Sequence, residues 1–190
     1  MDTTEPNDVI AQTNRIVVQP WRLDEAPRVL DIQSRIEVIK WLSDAEPVPM
    51  KDLDEARRRI RGYHERSLAS PLGVWAVVPL ATGVPAGSVI LLELPNGAGE
   101  VEIGWHLHPD SHGHGYATEA AELVLARGFE GGLPEVYALT HTDNLPSQAV
   151  CRRLGLTDIG VMERWYDGPS QVFRLTRQEW KSRRPGTTCQ

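Results

Sequence analysis

The hydrophobic positions of this chain change period between residues 99 and 130, and the elements they predict organise the rest. Val101, Ile103, Trp105 and Leu107 alternate with Glu102, Gly104, His106 and His108, the two-residue period of a pleated strand. Pro109 has no amide hydrogen to offer a neighbouring strand, so it ends this one. From Ala117 the period changes: Ala117, Ala120, Ala121, Val124, Leu125, Gly128 and Phe129 recur three and four apart, with Glu119, Glu122 and Arg127 set off that line. That spacing is one face of an amphipathic helix. Strand and helix are joined by His112-Gly113-His114-Gly115-Tyr116-Ala117.

The same pattern reading predicts the other elements. Residues 15–19 (RIVVQ) form a short strand, 24–34 and 36–42 two helices, and 51–69 a third, highly charged helix after a loop marked by Pro47 and Pro49. Two strands follow at 73–79 and 87–94, then a turn at Pro95-Asn96-Gly97, Asn-Gly being a hairpin signal. Beyond the central helix come a strand at 135–140, a helix at 144–154, and a hairpin of 157–165 with 171–176. No repeat or linker interrupts the series. The expectation is one mixed α/β (α+β) domain over 15–182, with a polar disordered leader at 1–14 and a frayed tail at 183–190.

A glycine-rich turn that opens a helix leaves several backbone N–H groups unpaired and pointing one way. With the positive end of the helix dipole they make an anion site suited to phosphate. Glycine at 113 and 115 lets the backbone approach a ligand, because no Cβ intervenes. A strand-to-helix junction also needs glycines for steric reasons alone, and spacing does not separate the two. Two familiar phosphate loops are excluded. A P-loop requires Lys then Ser or Thr where Tyr116-Ala117 stand, and the dinucleotide fingerprint requires a third glycine where Thr118 stands.

The segment HPDSHGHGYATEA resembles motif A of the GNAT acetyltransferases, Q/R-x-x-G-x-G/A, with His112 in place of the usual Gln or Arg. Asn144-Leu-Pro-Ser147 followed by Leu154-Gly155-Leu156 is similar to the family's N-x-x-S…L-G-F element. The likeness runs from about residue 15 to 180 and is greatest to the Rim-type branch, bacterial enzymes that acetylate protein N-termini and small amines. It implies a GNAT fold: a mixed, mostly antiparallel sheet with a splayed V between its central strands, flanked by helices. It implies acetyl-CoA as co-substrate, held by His106, Leu107 and His108 on the strand, by His112, Gly113, His114, Gly115, Tyr116, Ala117 and Thr118 in the loop, and by Asn144 against the pantetheine. The helices after the first strand would wall the acceptor site.

Composition narrows the picture. A formal net charge of −6 argues against a nucleic-acid partner and favours a cationic substrate, since amines are drawn to negative surfaces. No apolar run approaches a membrane span of about 20 residues, and the N-terminus is polar and acidic rather than a signal. A cytoplasmic monomer or homodimer is expected. Cys151 and Cys189, one in a helix and one in the tail, read as free thiols.

Several residues could carry chemistry. Glu102 is the first candidate for a base that deprotonates the amine, with Glu93 and Glu163 behind it. Asn144 is also a preferred N-cap, and Pro146 is tolerated in the first turn. Many GNAT enzymes place a tyrosine acid seven residues after that asparagine, where this chain has Cys151. Ser147 and Cys151 therefore become the candidates for a proton donor, although Cys151 also reads as a small buried apolar residue. His106, His108, His112 and His114 fall within nine residues, and imidazoles ligate metals. The cluster has no cysteine and only Asp110 as an acid, so no metal is expected. An acetyl-CoA-dependent N-acetyltransferase leads; a CoA-binding sensor that has lost catalysis, and a metal-binding protein, are the alternatives.

Overall fold

The computed structural model describes residues 9–43, 45–68 and 70–183. Within them the alternating segments form β1 (Ala11–Gln12), β2 (Ile16–Gln19), β3 (Gly73–Pro79), β4 (Gly87–Glu93), β5 (Val101–Leu107), β6 (Glu135–His141), β7 (Thr157–Met162) and β8 (Ser170–Thr176). They join in one sheet ordered β1-β2-β3-β4-β5-β6-β8-β7. Every neighbouring pair is antiparallel except β5 and β6. Those two run parallel and meet at the single pair Glu102↔Tyr137. Beyond that pair the strands part, and the sheet opens as a V at its centre, as the resemblance implied.

Helices cover both faces: α1 (Ala26–Gln33), α2 (Ile36–Ile39) and α3 (Leu53–Arg66) on one, α4 (Tyr116–Glu130) and α5 (Leu145–Arg153) on the other. Ile103, Val124, Leu125 and Phe173 anchor the core beneath α4 and α5. Val29, Ile60, Tyr63 and Val74 anchor the core beneath α1–α3. A smaller cluster of Leu94, Tyr137, Trp165 and Val172 closes the sheet beside β6.

The differences from the sequence reading have local causes. Residues 24–34 divide into a 3-10 turn, Leu23–Glu25, and α1, because Pro27 lacks an amide hydrogen and fits only a helix's first turn. α2 stops at Ile39, short of residue 42. β1 lies inside the segment read as leader and pairs with β2 through Ala11↔Val18; residues 1–8 are outside the described residues. A final helix, α6 (Arg177–Arg183), was not expected. Thr176 Oγ1 accepts from the Glu179 amide at 3.2 Å, and Glu179 Oε2 accepts from the Thr176 amide at 2.8 Å. This reciprocal capping box, T-x-x-E, starts the helix, and Trp180 then packs on Phe129, ring centroids 5.5 Å apart. Residues 184–190, with Cys189, lie outside the described residues.

Candidate active site

Where β5 and β6 part, a cavity of about 750 Å³ passes through the sheet. Ile103, Trp105 and Ala138 on its wall belong to the α4–α5 face. The two-residue alternation of strands turns Glu102, Gly104, His106 and Leu139 to the opposite face. The cavity therefore has two halves, one on each side of the sheet.

The α4 half is built from the glycine loop. Gly113 and Gly115 have φ of +78° and +81°, and the space where a Cβ would stand is open at both. Both conformations favour glycine. Gly115 caps α4 without a side-chain bond, and helix geometry leaves the first-turn amides without acceptors. Tyr116, Ala117 and Thr118, which carry them, line the cavity. Arg15 fixes the loop from outside: its Nη2 donates to the His114 carbonyl at 2.6 Å, and its Nη1 lies 3.4 Å from Glu119 Oε2. The His114 ring stacks on Tyr116. His112 Nε2 sits 3.2 Å from the Leu107 carbonyl. Its ring is held to the strand end, so only Nδ1 remains for an anion.

α5 forms the facing wall. Asn144 Oδ1 accepts from the Ser147 amide at 3.3 Å and caps the helix, and Asn144 also lines the cavity. Ser147, Val150 and Arg153 follow along the same face. Arg153 went unremarked in the sequence. Among the described residues lining the cavity it is the one lysine or arginine. The amide of His108 donates to Ala86 on the β4 side, so strand alternation turns the amides of Trp105 and Leu107 toward the gap.

The other half is acidic and apolar. Glu102 Oε1 accepts from the Tyr166 hydroxyl at 2.6 Å. Burial pushes the Glu102 carboxyl up to about 7, against a smaller lowering by that hydrogen bond. Tyr166 was missed because it stands in the β7–β8 connection, 64 residues away. His106 Nε2 is 3.0 Å from Gln33 Nε2. Burial, then the positive charge of Arg59, push the His106 imidazole down to about 4, so it is neutral. Glu37, Val38, Trp41 and Leu42 close this half. The Trp41 ring meets His141 edge-to-face, centroids 5.7 Å apart, joining α2's end to β6.

Four residues considered for the site lie elsewhere. His108 is buried outside the cavity: Nδ1 accepts from the Asp110 amide at 3.1 Å, and Nε2 contacts Asp31 at 3.1 Å, an ion-pair distance without hydrogen-bond alignment. Arg28 grips the Asp110 carboxylate with Nη2 at 2.9 and 3.1 Å. Burial opposes ionisation of Asp110, but the bonds from Arg28 and Ser111, with the Arg28 charge, outweigh it and hold that carboxyl well below the usual range. Cys151 has no exposed surface and sits in the α4–α5 core, where burial pushes its thiol up to about 12. It packs rather than reacts. Glu93 and Glu163 are exposed and do not line the cavity. The four histidines are thus dispersed to separate partners.

Solved structures share this architecture. A GNAT-family acetyltransferase from Bacillus anthracis superposes with a TM-score of 0.73 at 20% identity, over 88% of this chain and 98% of that one. RimL, a ribosomal L7/L12 α-N-protein acetyltransferase in complex with coenzyme A, gives 0.73 at 14% identity over 90% and 99%. Among curated relatives, the uncharacterised N-acetyltransferase p20 of Bacillus licheniformis is 24% identical over 88% of this chain and 96% of its own length. YnaD of Bacillus subtilis is 31% identical over 42% of this chain, a match spanning half of YnaD. The acetyltransferase (GNAT) domain family matches residues 15–157, which takes in the glycine loop, the parted strands and α5, and the chain is an acyltransferase of the GNAT family.

Proposed function

We propose that the protein transfers the acetyl group of acetyl-CoA, the donor GNAT enzymes use, to a primary amine by direct attack on the thioester. The acceptor is a protein N-terminal α-amine or a small amine. One observation carries this reading: the cavity joins, through the sheet, a half walled by open amides and Arg153 to a half walled by Glu37 and Glu102. Anion and amine are thereby directed to opposite sides of one gap.

The chain's residues fit the donor. Open space at Gly113 and Gly115 admits a pyrophosphate against the first-turn amides of α4, with Arg153 as a further cation for phosphate. Bound acetyl-CoA supplies an acyl carbon activated as a thioester. The amides of Trp105 and Leu107 offer donors in the gap for the acyl oxygen, each such donor being worth about 3–4 kcal/mol. Glu102 takes the proton of the incoming ammonium, directly or through water. An α-amine of pKa about 8 requires less of such a base than a lysine at about 10.4. Ser147, on the pantetheine side of the gap, is placed to return a proton to the departing thiolate.

The test is incubation of the purified chain with acetyl-CoA and a library of peptides and small amines, read by mass. Gain of one acetyl group on an amine, lost with Glu102→Gln, supports the reading. Binding of CoA with no acetylated product would favour a CoA sensor, the function that the absence of a tyrosine at position 151 suggests.

A further inference from the structure

Resting on that reading, the geometry points to one class of acceptor: we infer that the amine has an apolar or aromatic flank and bears no carboxylate beside its nitrogen. The acceptor half of the cavity presents two carboxylates, Glu37 and Glu102. The cavity's one described lysine or arginine, Arg153, stands on α5 across the sheet. A free amino acid would bring its α-carboxylate into this half with no cation on the wall to receive it, and like charges at such range repel. The positive groups behind the wall have other engagements. Arg35 is 3.7 Å from Glu37 but turns Nε and Nη2 to Asp31 at 3.1 and 2.8 Å. Lys40 Nζ stands 4.4 Å over the Trp41 ring. Arg59 is hydrogen-bonded to the Tyr63 side chain, and its charge reaches this half only from behind His106.

The remaining wall is apolar. Val38, Trp41, Leu42, Ile90 and Leu139 line it, and the Trp41 ring is set edge-to-face on His141, which also lines the cavity. A flat or branched apolar group next to the nitrogen gains burial there, which a bare polar amine does not. The chemistry is shared by two sources: the N-terminus of a peptide with a hydrophobic first residue, and a small aralkylamine.

The experiment is calorimetry on the full chain saturated with CoA, so that binding is read apart from turnover. The probes are phenylalaninamide, phenethylamine, phenylalanine, glycinamide and the tripeptide Phe-Ala-Ala. Phenylalaninamide is expected to bind at least tenfold more tightly than phenylalanine, and at least tenfold more tightly than glycinamide. Glu37→Gln should narrow the first difference and Trp41→Ala the second. Tighter binding of the tripeptide than of phenethylamine identifies a peptide acceptor, and the reverse order a small amine. Equal affinity for phenylalanine and its amide overturns the inference, as does equal affinity for phenylalaninamide and glycinamide, or no binding of any probe. If the preference appears but acetyl-CoA yields no product, the transfer reading fails and the preference stands.

Discussion

At the scale of single residues, Glu102 carries the most consequence. Its carboxyl rises from the ordinary 4.5 to about 7 because it is buried. The sign is destabilising: ionising it in the fold costs free energy that grows as pH climbs from about 4.5 to 7 and is constant above. At 1.36 kcal/mol per unit this reaches about 3 kcal/mol. Glu102→Gln should therefore raise thermal stability at about pH 8 and leave it unchanged near pH 4, measured by calorimetric melting. The same variant should lower kcat/KM about 10²- to 10⁴-fold, a wild-type fold with a crippled rate. Gly115 answers to a different constraint. With φ at +81°, Gly115→Val is strained by about 1–3 kcal/mol and places a branched side chain where phosphate would meet the backbone. CoA affinity in the folded variant should fall at least tenfold by calorimetry. For the proton donor, Ser147→Ala should lower kcat about 10- to 100-fold with little change in the KM for acetyl-CoA. Cys151→Ala should act on stability instead, since the thiol is in the core.

At the scale of elements, the site is assembled by turns as much as by strands. Asn96 Nδ2 donates to the Trp165 carbonyl at 3.1 Å, and Arg164 pairs with Glu100. These two contacts tie the β4–β5 turn to the β7–β8 connection and so bring Tyr166 over Glu102. Because the Tyr166 hydroxyl lowers the Glu102 carboxyl, Tyr166→Phe leaves burial unopposed. The rising limb of the pH–rate profile should then shift to higher pH, while the maximal rate at high pH is retained. A profile that keeps its inflection would show that the phenol does not tune this carboxylate. These contacts also explain what could be read from the chain. Glu102 was legible because strict alternation from Val101 to Leu107 fixes which face it takes. Tyr166 was not, since nothing local links position 166 to position 102. His108 continues the alternation of His106 on paper, but Pro109 ends the strand there and the backbone turns away, carrying the ring to Asp31. Ser147 and Cys151 are four apart, yet the cavity takes the line of Ser147, Val150 and Arg153, and Cys151 rolls into the core. α6 was legible after all: Thr176-Arg177-Gln178-Glu179 is a capping-box sequence that went unread.

At the scale of the whole molecule, the sheet separates charge. In a chain of net charge −6, no acid among the described residues lines the glycine loop and α5 side of the cavity, and Glu37 and Glu102 stand on the other side. The parting of β5 and β6 after one pair connects these sides. That parting followed from the family resemblance and not from periodicity, because the alternation of β5 continues unbroken through the point where its partner leaves. No helix among the described residues is long and apolar enough to cross a membrane. The most direct test is a mass measurement on phenylalaninamide incubated with acetyl-CoA and the wild-type chain, with Glu102→Gln in parallel. An added acetyl group with the wild type and little or none with the variant is the predicted result. An unmodified amine in the presence of fully bound acetyl-CoA, or equal product from both proteins, would contradict a transfer through this gap with Glu102 as its base.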